Sequence, residues 1–177
     1  MVNYLPEEKK TALLQTLKLK SIKRAGWLRT SLCKTADDVE SVAAHSWGAA
    51  WLALLMCPDG IRLERVLELA LIHDLAEIIT GDITPHDGIS ADQKASLEAA
   101  AFRKLTSDLP RFEQLWSLFC EYQECLTPEA VFVHRCDKID MWMQAELYMQ
   151  KYPDAELKEF VESAQAYLQK TAPVLRA

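Results

Sequence analysis

Residues 63–80 read LERVLELALIHDLAEIIT. Val66, Leu67, Leu69, Ala70, Ile72, Leu75 and Ile78 recur at helical spacing, so one continuous helix is predicted over 63–80, with Gly81 as the residue that ends it. Into this apolar run the chain sets His73, Asp74 and Glu77. Ionisable groups are rarely buried without partners, because desolvating them is costly. His73 and Glu77 are four apart and share a face. Asp74, turned by about 100°, borders the same groove.

Outward from this segment the pattern stays helical. Leu13, Leu14, Leu17 and Leu19 predict a first amphipathic helix ending near Gly26. A second is predicted from Ser41 to Cys57, stopped by Pro58. It is apolar nearly all round (Trp47, Trp51, Leu52, Leu54, Leu55), so a buried, central place is expected for it. Ser90-Ala-Asp-Gln93 reads as a capping box opening a fourth helix that ends near Ser107. Pro110 opens a fifth. Thr127-Pro128-Glu129 combines an N-cap, a first-turn proline and an acid, and predicts a long sixth helix ending before Pro153. Asp154 is expected to cap a seventh, reaching about Lys170. No segment alternates like a strand. The expectation is an all-α bundle forming a single domain over 1–177.

Composition narrows the function. The 177 residues are 50% hydrophobic and 26% charged, enough for one sizeable core. A net charge of −6 weighs against binding nucleic-acid polymers. The basic run Lys9, Lys10, Lys18, Lys20, Lys23, Arg24 and Arg29 reads either as a solvated face or as one or two contacts to a small anion. The five cysteines, Cys33, Cys57, Cys120, Cys125 and Cys136, are odd in number and form no CxxC pair, which fits reduced thiols. The first ten residues lack the apolar stretch of a signal peptide, and the longest apolar run, 48–57, is too short to cross a bilayer. A cytoplasmic protein with no membrane partner is expected.

A divalent cation resolves the burial problem at His73 and Asp74, since imidazole and carboxylate are its natural ligands. Two adjacent ligands do not close a coordination shell. His45, among apolar neighbours in the second helix, and Asp137, in the sixth, are the candidates to complete it. Each has a plainer explanation when taken singly: a hydrogen-bonded core histidine, a pair joining helices, an interhelical salt bridge. His86 and His134 read as structural or surface residues, and Trp47, Trp51 and Trp142 as core or interface. The metal reading rests on the combination.

The motifs around these residues are more specific. Glu40-Ser41-Val42-Ala43-x-His45-Ser46, His73-Asp74-Leu75-Ala76-Glu77, Gly81-Asp82-Ile83-Thr84-Pro85-x-Asp87-Gly88, Lys94-x-x-x-Glu98 and Asp137-Lys138-x-Asp140-Met141 occur in this order. Together, from about Leu17 to Tyr148, they resemble the HD-domain metal-dependent phosphohydrolases, and within them the 5′-deoxynucleotidase group. The resemblance implies a helical bundle, usually a homodimer, that releases phosphate from deoxynucleoside 5′-monophosphates with Mn²⁺, Co²⁺ or a similar ion, Mg²⁺ being admissible. It implies His45, His73, Asp74 and Asp137 as metal ligands. It also implies Glu77 as a catalytic acid and Asp82 as a second acid; in some members the two hold a second ion. Arg24 and Trp27 match substrate-contacting positions. Glu77 is then expected to orient water and accept its proton, Asp82 to assist the leaving oxygen or bind the sugar, Arg24 to grip the phosphate and Trp27 to pack on sugar or base. One departure is visible: Ala44 stands where the family usually has an acid, so Ser41 lacks a capping-box partner. Two other readings stay open: an HD-type phosphodiesterase or two-iron oxygenase, and a nucleotide-binding HD protein without turnover.

Overall fold

The computed structural model describes residues 6–30, 38–153 and 155–171. Among them the fold is all-α, as predicted. The elements are α1 (Glu7–Thr16), a 3-10 turn (Leu17–Ser21), α2 (Ala25–Arg29), α3 (Val42–Met56), α4 (Leu63–Ile72), α5 (Glu77–Thr80), a 3-10 turn (Pro85–Asp87), α6 (Ala91–Thr106), α7 (Phe112–Glu124), α8 (Pro128–Lys151) and α9 (Lys158–Thr171).

The helix starts follow local chemistry. Ser41 accepts from the Ala44 N–H at 3.2 Å, so α3 is capped without the missing acid. Ser90 and Gln93 form the reciprocal capping box of α6. Thr127 caps α8, with Pro128 in its first turn. The expected cap at Asp154 lies outside the described residues, as does Cys33. The other four cysteines are free thiols.

Three expectations are corrected. The first helix does not run to Gly26. Residues 22–24 leave the helix because their backbone pairs with 40–42: the Arg24 N–H donates to Glu40 O at 3.2 Å and the Val42 N–H to Ile22 O at 2.8 Å. Gly26 then lies inside α2, where a Cβ would meet the Phe160 ring at 3.0 Å.

The helix over 63–80 is not continuous. Between Ile72 and Glu77 the backbone bonds shorten to the i→i−3 type: Leu75 N–H to Ile72 O and Glu77 N–H to Asp74 O, both 3.0 Å. Three residues per turn puts positions i and i+3 on one line, so Glu77 lies over Asp74 rather than over His73.

Finally, α3 is not enclosed. It packs on α4 and α8 through small residues (Val42, Ala49 and Ala53, all fully buried), and this close approach turns the large side chains outward. Trp47 is 69% exposed and Leu55 62%, with Trp51, Leu54 and Met56 beside them.

Helix α8 organises the interior, packing against α3, α4 and α9. Its first half joins a core with Val66, Leu69, Phe102 and Phe119. Its second half joins another with Trp27, Val39 and Leu157. Asp137 sits between Cys136 of the first core and Met141 of the second. No helix among the described residues is long and apolar enough to cross a membrane.

Candidate metal centre

Helix α3 presents His45, the tight turn after α4 presents His73 and Asp74, α5 presents Glu77, and α8 presents Asp137. His45 Nε2 lies 3.1 Å from Asp137 Oδ1 and 3.7 Å from Asp74 Oδ2; His73 Nε2 lies 3.1 Å from Asp74 Oδ2. Ligand atoms of His45, His73 and Asp74 all fall within 4.8 Å of one another. Asp137 stands to one side, its Oδ2 held 3.0 Å from Lys138 Nζ.

Four buried atoms in this cluster have no hydrogen-bond partner: His45 Nε2, His73 Nε2, Asp74 Oδ2 and Glu77 Oε2. Leaving one such atom unpaired costs on the order of 1–3 kcal/mol, so four together need a further partner. The opposite ring nitrogens are already engaged. His73 Nδ1 stands 2.7 Å from Ala70 O, and His45 Nδ1 2.7 Å from Asp140 Oδ2. Both contacts take an Nδ1–H donor, so Nε2 is the ring nitrogen that each histidine turns into the cluster, towards Asp137 and Asp74 from His45 and towards Asp74 from His73. Two imidazole nitrogens and a carboxylate converging from α3 and from the turn after α4 fit a borderline divalent cation. A second grouping, Glu40, His45 and Asp140, also falls within 4.8 Å. There the direct contact of Nδ1 with Asp140 fills the space an ion would need, and Glu40 is occupied by the Trp27 Nε1–H at 2.8 Å.

Charge crowding is marked. Burial raises the Glu77 carboxyl, and Asp74 and Asp82 raise it further, to about 10, against the pull of Arg24 and Lys94. Burial opposes ionisation of Asp74, yet His73, His45 and Arg24 hold its carboxyl well below the usual range. For His45, burial and Arg24 lower the pKa, but Asp137 and Asp140 outweigh them and push it up to about 9. Arg24 is itself held charged against its burial by Asp82, Asp74, Asp137 and Glu77. The cluster thus crowds carboxylates that bound protons or a cation would offset.

A cavity of about 660 Å³ opens onto this cluster, lined by Arg24, His73, Asp74, Glu77, Asp82 and Asp137 among others. Arg24 Nη1 lies 3.6 Å from Asp82 Oδ1, and Asp82 Oδ2 accepts from the Ala25 N–H at 2.6 Å. Trp27 borders the cavity but is only 1% exposed, wedged between Tyr148 and Phe160. His134 also borders it, stacked on Tyr122 with Nε2 2.9 Å from that residue's carbonyl. His86 lies half-exposed at the rim, 3.4 Å from Glu159. The seven sequence-derived positions His45, His73, Asp74, Asp137, Glu77, Asp82 and Arg24 therefore meet at one place, while Trp27 forms part of its wall. The structure adds contacts for Glu40 and Asp140, which the sequence showed only as members of the quoted motifs, and for Gly48, to which the sequence reading gave no role.

One histidine from one helix, a His-Asp pair from the next and an aspartate from a third, around one cavity in an all-α bundle, define an HD domain. The chain belongs to the HD-domain family, whose profile HD_3 matches residues 16–176. It is similar to the fission-yeast (Schizosaccharomyces pombe) protein named 5′-deoxynucleotidase hdd1, 36% identical over 150 residues covering 81% of this chain and 74% of that protein. It is also similar to human 5′-deoxynucleotidase HDDC2, 33% identical over 159 residues, 86% of this chain and 76% of the other. Among solved structures it resembles the PH0347 protein of Pyrococcus horikoshii, with a TM-score of 0.75 and 32% identity over 94% of this chain and 97% of that one.

Proposed function

We propose that this protein is a metal-dependent phosphohydrolase that acts as a 5′-deoxynucleotidase, releasing phosphate from deoxynucleoside 5′-monophosphates. The observation that carries the chemistry is the set of four buried polar atoms without hydrogen bonds, on His45, His73, Asp74 and Glu77, the last three of which line one cavity. The substrate follows from the curated relatives, more than two-thirds of whose length the chain covers.

In this reading His45, His73, Asp74 and Asp137 hold one divalent ion, Mn²⁺, Co²⁺ or a similar ion as the family resemblance implies, with Mg²⁺ admissible, and their mixed nitrogen and oxygen donors suit such a cation. The bound ion supplies Lewis-acid chemistry: it polarises phosphate and makes water a better nucleophile at neutral pH. Glu77, at the cavity wall, orients the attacking water and takes its proton once the bound ion has offset the neighbouring carboxylates and left Glu77 ionised. Arg24 presents a planar, permanently charged fork to the phosphate. Asp82 holds Arg24 and the α2 N-terminus in register and assists the leaving oxygen or binds the sugar. Trp27 and its neighbours supply a rigid apolar wall for sugar or base.

The whole chain acts as one domain in this reading, in the cytoplasm, where its thiols stay reduced. It pairs with a second copy, and the uncharged, exposed Trp47–Trp51 face of α3 supports such pairing.

A phosphate-release screen of the purified protein across deoxynucleoside and ribonucleoside monophosphates, with Mn²⁺, Co²⁺ or Mg²⁺, tests the proposal. Release that requires metal and favours deoxynucleotides is expected. Binding of nucleotide with no release under any metal would leave a binding protein instead.

A further inference from the structure

Asp140 lies outside the four proposed ligands and does not line the cavity. Even so, its carboxylate is pressed into the bundle, 17% exposed, against the far side of the His45 ring. Its Oδ2 receives the only ring nitrogen of His45 that does not face the cluster, at 2.7 Å. The approach is made feasible by one residue of α3. A Cβ at Gly48 would stand 2.0 Å from Asp140 Oδ1 and 2.8 Å from its Cγ, and the three nearest atoms to that position all belong to the Asp140 carboxylate. A glycine within a helix costs roughly 0.5–1 kcal/mol relative to alanine. Here it vacates the volume that the carboxylate fills.

The two histidines are therefore supported differently. His73 Nδ1 rests on a neutral carbonyl of its own helix, Ala70 O. His45 Nδ1 rests on a full negative charge delivered from α8. A carboxylate behind a ligating imidazole fixes its tautomer and orientation and strengthens it as a donor.

We infer that Asp140 is a positioning residue, seated by Gly48, that aims and strengthens His45 as a metal ligand. The inference rests on the metal reading above but concerns ion affinity alone. It is tested without substrate, by titrating metal-free protein with Co²⁺, following the visible absorption of the bound ion, and competing with a chelator. The proteins compared are wild type, Asp140→Asn, Asp140→Ala, Gly48→Ala and the double variant Gly48→Ala/Asp140→Ala.

Asp140→Ala is expected to weaken Co²⁺ binding by about 10- to 100-fold and to alter the band shape. Asp140→Asn, which keeps size and an acceptor but not the charge, should fall between it and wild type. Gly48→Ala should weaken binding comparably where Asp140 is present, and add little where residue 140 is already alanine. That non-additivity separates a shared role from two independent packing defects. If either alanine variant fails to fold, Asp140→Asn alone decides, by affinity and spectrum. Wild-type affinity and spectrum in Asp140→Asn and Asp140→Ala, or an equal Gly48→Ala cost in both backgrounds, overturns the inference but leaves the metal reading standing. A wild type that binds no Co²⁺ overturns both.

Discussion

Asp74 and Glu77 stand one tight turn apart: the Glu77 N–H donates to the Asp74 carbonyl at 3.0 Å, and both side chains face the same cavity. With no cation between them they compete for one negative charge. Asp74, beside His73 and His45, ionises, and Glu77 keeps its proton.

That division sets a stability–pH signature. In the unfolded chain Glu77 titrates near 4.5; in the metal-free fold it is raised to about 10. The folded state therefore holds a proton the unfolded chain has lost. Its penalty is absent below about pH 4.5 and grows with pH until the folded group itself ionises. Glu77→Gln removes the penalty. Metal-free Glu77→Gln should lie nearest wild type in thermal melts at pH 4 and melt higher at pH 8. The gap should widen by at most about 1.4 kcal/mol per pH unit. A gap between the two proteins that stays the same at both pH values would show that Glu77 is not charge-frustrated.

Metal binding should expel protons. His45, pushed up to about 9, carries its proton at pH 7.5 in the metal-free cluster, and His73 is raised in the same direction. Calorimetry in buffers of different ionisation enthalpy should report about one to two protons released per ion, with affinity rising with pH. Zero release would mean that the ion sits elsewhere.

Arg24 is buried among carboxylates and 3.6 Å from Asp82. Arg24→Ala should raise KM for a nucleoside monophosphate by about 1.5–3 kcal/mol, roughly 10- to 150-fold, through loss of charged hydrogen bonds to phosphate. Arg24→Lys should recover only part of this, because the fork is lost. Steady-state kinetics of the two variants checks it.

The Trp47–Trp51 face offers a simple assay of pairing. Sedimentation of wild type should give the mass of two chains. Trp47→Glu, which places a charge on a face 69% exposed at that position, should give one chain with an unchanged helical spectrum.

The sequence made the all-α class and the convergence of His45, His73, Asp74 and Asp137 legible, because buried imidazole and carboxylate in apolar helices stand out against their neighbours. It also made the caps at Ser90 and Thr127 legible, since those are local. What it hid was tertiary. The break at His73–Ala76 has no counterpart in propensity, which alone favours an unbroken helix. The outward Trp47 and Leu55 look like core residues until Ala49 and Ala53 take the inner face. Asp140 stands in the Asp137-Lys138-x-Asp140-Met141 motif, but its place in a long helix does not say what its carboxylate touches. The glycine opposite, Gly48, leaves the room for it.

Phosphate release from a deoxynucleoside 5′-monophosphate, measured on chelator-stripped protein before and after Co²⁺ or Mn²⁺ is restored, tests the metal-dependent hydrolysis most directly. Stripped protein should be inactive and regain turnover with the ion. His73→Ala and Asp74→Ala should stay inactive at any metal concentration that wild type needs. Turnover that survives stripping, or that persists undiminished in both variants, would contradict it.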